Sequence, residues 1–178
     1  MKRIIKYSKG EIDKAGDVLA GKSVKGMSRD LAINILENFR SIHTHPLNVF
    51  RMELIKKTNE IGKGSLISQR LKRAPSIVRK LKIQKRMSLS QMQDIGGIRA
   101  VVKDMETVYK LRDLIRKSET QPAFKSILTK ETDYIKEPKE SGYRSIHLIY
   151  KYGEKVKAEN ACRIEVQLRT KIQHAWAT

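Results

Sequence analysis

Two runs of strict alternation near the C-terminal end limit this chain more than any other feature. Over residues 143–152, Ile146, Leu148, Tyr150 and Tyr152 fall on one side of an extended backbone, and Tyr143, Ser145, His147 and Ile149 on the other. Over residues 162–169, Cys162, Ile164, Val166 and Leu168 share one side, opposite Arg163, Glu165, Gln167 and Arg169. A period of two is the mark of a strand with one buried face. The turn-rich stretch 153–160 between the runs makes an antiparallel pair the simplest arrangement. Helices must then cover the apolar sides, and the polar sides share a second surface.

The upstream sequence supplies those helices. Leu31, Ala32, Ile35, Leu36 and Phe39 recur at helical spacing from Ser28 onward. Pro46 suits the first turn of a second helix with the stripe Leu47, Phe50, Leu54 and Ile61, ended by Gly62 and Gly64. A third helical stretch is expected over 65–73, and a fourth from Pro75 to about 85, burying Ile77, Val78 and Leu81. Residues 97–102 read as a short buried strand. Asp104 then caps a helix with Val108, Leu111 and Ile115 on its core face. Gln121 and Pro122 break the chain, and 126–135 is expected to be extended. The sum is an α+β fold: a mixed, largely antiparallel sheet flanked by helices. Residues 1–27, with Gly10, Gly16, Gly21 and Gly26, read as a loose basic arm holding at most one short helix. Residues 28–178 read as one domain, helical over 28–92 and sheet-containing over 93–178. The closing helix, with Ile172 and Trp176, is too short to be stable alone. The C-terminus is therefore expected to be cut short of the natural one or to pack elsewhere, with Trp176 serving packing and not ligand stacking.

Charge narrows the partners. Thirty-eight Lys and Arg against nineteen Asp and Glu give a net charge of +19, a field that favours polyanions such as nucleotides or nucleic acid. Between Ile61 and Gln93 there is no acidic residue, yet Lys63, Arg70, Lys72, Arg73, Arg79, Lys80, Lys82, Lys85 and Arg86 all lie there. That segment reads either as a solvated basic face or as a phosphate-binding wall. No apolar run approaches the roughly 20 residues of a membrane-spanning helix, and the basic N-terminus has no apolar stretch behind it. The single cysteine, Cys162, excludes an internal disulfide and CxxC metal knuckles, and its core-facing position predicts a buried thiol. A reducing, cytoplasmic setting is expected.

The polar side of the two runs gathers an aromatic ring, an imidazole, a carboxylate and an amide, with Arg99 able to join from its own strand. Asp94, just before Gly96 and Gly97, adds a second carboxylate at the entrance to that strand. An ordinary exposed sheet face also alternates in this way. Two carboxylates on neighbouring strands can also hold Mg²⁺, which takes a few hard oxygen ligands plus phosphate oxygens, although two acids alone are a weak signal.

Four segments in order resemble the synthetase domain of the RelA/SpoT alarmone synthetases: QRLKRAPSIVRKLK (69–82), QDIGGIRAVV (93–102), DYIKEPKESGYRSIH (133–147) and RIEVQLRTKIQHAWAT (163–178). The resemblance implies a nucleotidyltransferase-like fold and transfer of a pyrophosphoryl group from ATP to the 3′-hydroxyl of GDP or GTP, with Mg²⁺ as cofactor and AMP as product. By matching position, Arg70, Lys72 and Lys80 would hold ATP phosphates, with Ser76 in the same segment and Arg99 beside the adenine. Asp94 and Glu165 would be the metal ligands and catalytic carboxylates, Glu165 either accepting the hydroxyl proton or orienting the hydroxyl. Lys139, Tyr143, His147 and Gln167 would meet the acceptor, Tyr143 by stacking on guanine. Relatives of this kind are monomers or symmetric oligomers, and either state is open here.

Some positions depart from the family pattern. Ser141 stands where many members have Asn, which bears on the acceptor. His43 and His45 occur as H-T-H-P without a following Asp, so they read as loop or helix-cap residues and not as a hydrolase metal site. Two other functions compete. A toxin-type relative would place pyrophosphate on the 3′-end of tRNA with the same residues, and the basic charge and Ser141 lean that way. A catalytically inactive RNA-binding module is the third reading, opposed by the retention of Asp94 and Glu165.

Overall fold

The computed structural model describes residues 6–62, 64–118, 125–153 and 162–177. The expected break at Gln121 and Pro122, the turn-rich stretch 154–160, the first five residues and Lys63 lie outside them.

Helix α1 (Lys9–Leu19) begins at Ser8, whose hydroxyl accepts from the Glu11 amide while the Glu11 carboxylate accepts from the Ser8 amide at 2.8 Å. This reciprocal cap satisfies two donors that a helix start leaves unpaired. Ile12, Ala15 and Leu19 are buried against Ile35, Leu36 and Phe39 of α2 (Arg29–Ser41). The arm expected over 1–27 does hold one short helix, and over Lys9–Leu19 it is packed and not loose. Ile12, Ala15 and Leu19 already form a stripe at helical spacing. Gly16 is a close-packing glycine and no flexible break: a Cβ there would lie 2.7 Å from the Leu89 Cβ.

Helix α3 (Thr44–Ile61) follows, then strand β1 (Leu66–Leu71), helix α4 (Ala74–Ile83), a 3₁₀ turn (Leu89–Gln91) and strand β2 (Gly96–Val102). Helix α5 (Met105–Ser118) is capped by Asp104, which accepts from the Thr107 amide at 2.8 Å. Strands β3 (Ser126–Asp133), β4 (Ile146–Tyr152) and β5 (Cys162–Thr170) and the short helix α6 (Lys171–Trp176) complete the described chain.

Among the described residues the strands form one sheet in the order β1-β2-β5-β4-β3. Strands β2 and β5 run parallel, and every other neighbouring pair is antiparallel. The 65–73 segment, expected to be helical, is an edge strand. Its Ile67 and Leu71, four apart, satisfy either period, and pairing with β2 decides between them. Ile67 and Leu71 then pack on the core while Ser68 and Arg70 face the opposite side. Sheet residues therefore begin well before position 93.

Helices α3 and α5 cover one face. Leu47, Phe50, Leu54, Val108, Leu111 and Ile115 close on Ile98, Ala100, Ile146, Leu148, Tyr150, Ile164, Val166 and Leu168. Fully burying such a side chain contributes about 1.5–3 kcal/mol, so this layer fixes the register. The second cluster, of α1, α2, α4 and the 3₁₀ turn, takes in Ile95 and Cys162. Burial pushes the Cys162 thiol up to about 12, so it is protonated and inert as a nucleophile. His43 sits at the cap position before α3, buried, with Nδ1 2.8 Å from the Phe39 carbonyl and its pKa pushed down to about 4 by that burial. It is a structural residue.

The register has a tight point. A Cβ on Gly96 would lie 2.7 Å from Ile164 Cδ1 and 3.3 Å from Leu47 Cγ, in the layer between α3 and the sheet. Gly96→Ala is expected to destabilise the fold by about 1–3 kcal/mol, the usual cost of overpacking, measured by urea unfolding. An unchanged midpoint would show that the α3–sheet contact is loose.

Candidate active site

Pairing turns the uncovered face into a ladder of polar side chains. Arg70 lies opposite Gly97, Gly97 beside Glu165, Arg99 beside Gln167, and Gln167 opposite His147. The pleat sends alternate side chains to this face, and Gly97 leaves a gap among them. Arg70, Asp94, Gly97, Arg99, Glu165 and Gln167 line one cleft of about 180 Å³.

Asp94 is held by two cations at once. Lys72 Nζ donates to Oδ2 at 2.8 Å and Lys80 Nζ to Oδ1 at 2.9 Å. Burial would raise the Asp94 carboxyl, but the hydrogen bonds and charges of Lys72 and Lys80 outweigh it and hold it below its ordinary range. The backbone braces the clamp: the Lys72 amide donates to the Ile95 carbonyl at 2.8 Å, and the Arg40 guanidinium donates to the Lys72 carbonyl at 3.0 Å.

Glu165 has two neighbours of its own. His147 Nδ1 lies 3.0 Å from Oε1, and Gln167 Nε2 donates to Oε2 at 2.8 Å. Burial pushes this carboxyl up, and the His147 and Gln167 contacts more than reverse it, while nearby Asp94 works against them. An ionised carboxylate only accepts, so Nδ1 of His147 carries the hydrogen. In the neutral ring Nε2 then accepts from the Tyr143 hydroxyl, 2.8 Å away. Both carboxyls are low when folded. The stability they contribute is present above the unfolded carboxylate range near pH ~4 and is lost as pH falls through the folded values.

The aromatic end is built from the loop before β4. Tyr143 precedes the strand, and its ring meets those of Tyr134 and His147 edge-on at 6.0 and 5.7 Å. Lys139 Nζ lies 4.6 Å from the Tyr134 ring centre and 5.1 Å from that of Tyr143. Ser145, read as a polar-face residue, is instead fully buried, its hydroxyl donating to the Leu168 carbonyl at 3.0 Å.

The residues singled out in the sequence thus fall into three groups. Arg70, Asp94, Arg99, Glu165 and Gln167 share the cleft, with Lys72 and Lys80 behind Asp94. Lys139, Tyr143 and His147 form the adjoining aromatic end. Ser76 is exposed in the first turn of α4 and does not line the cleft. Trp176 is 72% exposed, so it does not serve core packing; its indole nitrogen lies 3.3 Å from where a Gly142 Cβ would be. Sequence reasoning passed over Tyr134, which sits within the third segment, and placed Arg169 on the polar side without a role. Arg169 is only 2% exposed.

A hard cation suits the donors present. Asp94 and Glu165 line one cleft, both favour the ionised form, and Mg²⁺ commonly takes one or two carboxylates and leaves its other positions to water and phosphate. Among the described residues no group of three or more His, Cys, Asp or Glu stands ready as a complete cage. Asp94 and Glu165 are therefore the residues that could hold such an ion.

On the open face of this sheet Asp94 and Glu165 line one cleft, with Lys72 and Lys80 hydrogen-bonded to the first. The family described as "Region found in RelA / SpoT proteins" matches residues 69–178, and the chain belongs to that family. GTP pyrophosphokinase YjbM of Bacillus subtilis is 33% identical over 118 residues, covering 63% of this chain and 52% of that protein. The chain thus spans about half the length of that relative. The small alarmone synthetase 1 of Bacillus subtilis, solved with its product pppGpp, superposes with a TM-score of 0.65 at 24% identity over 80% of this chain and 77% of the other. A GTP pyrophosphokinase family protein of Streptococcus pneumoniae gives 0.66 at 23% identity over 85% and 74%. These likenesses show that the α+β fold is that of alarmone synthetases.

Proposed function

We propose that this cleft transfers a pyrophosphoryl group from ATP to the 3′-hydroxyl of GDP or GTP, releasing AMP, with Mg²⁺ held by Asp94 and Glu165. The observation that carries the reading is that Asp94 and Glu165 line one cleft, with Lys72 and Lys80 hydrogen-bonded to the first and His147, itself paired with Tyr143, against the second. Phosphoryl transfer asks a protein chiefly for positioning and charge neutralisation. Arg70, Lys72 and Lys80 supply cations where a chain without a Walker-type loop needs them, and Arg99 offers a flat guanidinium for a purine ring. Glu165, ionised and oriented, accepts the proton of the attacking hydroxyl or aligns it. The bound metal would neutralise charge on the phosphates in flight. The name of the Bacillus relative, a GTP pyrophosphokinase, supports the same chemistry. A cytoplasmic setting fits a buried protonated thiol, and no helix among the described residues is long and apolar enough to cross a membrane.

Tyr143 is the expected guanine platform. Tyr143→Ala is expected to raise the acceptor KM by the equivalent of about 1–3 kcal/mol, the range of base stacking on aromatic side chains, with ATP binding unchanged. An unchanged acceptor KM places the base elsewhere.

One observation favours a second acceptor, the 3′-end of an RNA such as tRNA. Lys85, Arg86 and Arg163 line a separate open cleft, and Arg163 lies two residues before Glu165 on the same strand. That cleft would suit the backbone of a longer polyanion. The test is direct: offer GDP, GTP and deacylated tRNA with γ-³²P-ATP and Mg²⁺. Label in a guanine nucleotide supports the first reading and label in tRNA the second. No label in any acceptor overturns both and leaves a binding module.

A further inference from the structure

The side chains around Glu165 close into a ring of contacts. Tyr143 hydroxyl meets His147 Nε2 at 2.8 Å, His147 Nδ1 meets Glu165 Oε1 at 3.0 Å, and Glu165 Oε2 accepts from Gln167 Nε2 at 2.8 Å. Gln167 Oε1 in turn accepts from Arg169 Nη2 at 2.8 Å, and the Arg169 guanidinium carbon lies 5.6 Å from the centre of the Tyr143 ring. The last link returns to the first.

Arg169 is the anomaly in this ring. The residue is 2% exposed, yet its buried Nε and Nη1 have no hydrogen-bond partner among the described residues. It has no salt bridge there either, and its charged neighbours are two further cations, Arg99 and Arg70, and a single carboxylate, Glu165, that does not pair with it directly. Burying a cation so poorly paired costs stability, and an apolar side chain of similar volume would normally serve the fold better. What the cation does achieve is local. An amide can face either way, and only one orientation presents its NH₂ to Glu165. Arg169 Nη2 at 2.8 Å and Arg99 Nε at 3.3 Å both donate to Gln167 Oε1, so the carbonyl is held toward the guanidinium groups and the NH₂ toward the carboxylate. The other face of the same guanidinium lies against Tyr143.

We propose that Arg169 is a positioning residue, which fixes the Gln167 amide and the Tyr143 ring and so aligns Glu165 with the acceptor. The role rests on the transfer reading above, but it is tested by measurements that do not depend on turnover. In Arg169→Met the thermal midpoint is expected to stay level or rise. The side-chain NH₂ signals of Gln167, identified by their disappearance in Gln167→Glu, are expected to collapse toward those of a free amide. Transfer by Arg169→Met is expected to fall on the order of 10–100-fold below that of the wild type, the usual loss when a supporting partner of a site residue is removed. The loss should lie in kcat and acceptor KM with ATP affinity intact, and Arg169→Lys should recover only part of it, because an ammonium lacks the planar fork. Gln167 signals that are unchanged in Arg169→Met overturn the proposal. So does a fall in midpoint in both variants that accounts for the lost activity, since Arg169 would then be a fold residue. Wild-type protein without any transfer defeats the reaction assignment alone, because the amide signals still report on the ring.

Discussion

Replacing Glu165 with Gln is expected to cut transfer by a factor of about 10²–10⁴ while leaving ATP binding and the fold nearly unchanged. The side chains have the same shape, so the loss isolates charge and basicity. In the native site the hydrogen bonds to Glu165 favour the ionised form, His147 on one oxygen and Gln167 on the other, and together they outweigh burial and the nearby Asp94. The amide can accept from only one of them and turns a donor toward the other. It can take no proton from a hydroxyl and offers a metal only a weak neutral oxygen. Single-turnover kinetics, with ATP affinity measured separately by calorimetry, check this. A variant with normal turnover removes Glu165 from the chemistry.

Asp94→Asn is expected to separate two events that other variants would merge. Turnover should fall about 10²-fold or more, since a metal held by a neutral amide stabilises transferring charge far less well. Metal-free ATP should bind more tightly. The reason is the clamp: Lys72 and Lys80 each spend a charged hydrogen bond on Asp94, worth about 1.5–3 kcal/mol, and a triphosphate must take them away from it. With the charge gone the amide oxygen can accept from only one of the two ammonium groups, and through a weaker neutral bond, so both are more available to phosphate. Calorimetric titration with ATP, with and without Mg²⁺, reads both effects. Equal metal-free affinity in wild type and variant would show that the lysines do not reach the nucleotide.

The sheet and its two faces were legible because β4 and β5 alternate over most of their length, Ile149 being the apolar exception on the polar side, and cover an apolar layer that tolerates no slip. What escaped had specific causes. The α1 stripe of Ile12, Ala15 and Leu19 was visible, but Gly16 beside it reads as a breaker until Leu89 is seen to need its space. The edge strand β1 carries apolar residues four apart, so only its partner β2 distinguishes it from a helix. Which side chains share the open face followed from the alternation; their pairings did not. Lys72 and Lys80 meet Asp94 across 22 and 14 residues of chain, a contact no local pattern encodes. The burial of Arg169 is equally hidden: Arg163, six residues earlier on the same side of the strand, is only half-buried, and the loop bearing Tyr143 makes the difference.

In the proposed reaction one cleft moves two phosphates together. ATP labelled in turn at the β and γ positions, incubated with Mg²⁺ and the acceptor, tests it directly. Both labels should reach the 3′-position of the acceptor, with AMP appearing in equal amount and neither event occurring in Glu165→Gln. Transfer of the γ label alone, with ADP released, would be ordinary kinase chemistry and would contradict the assignment.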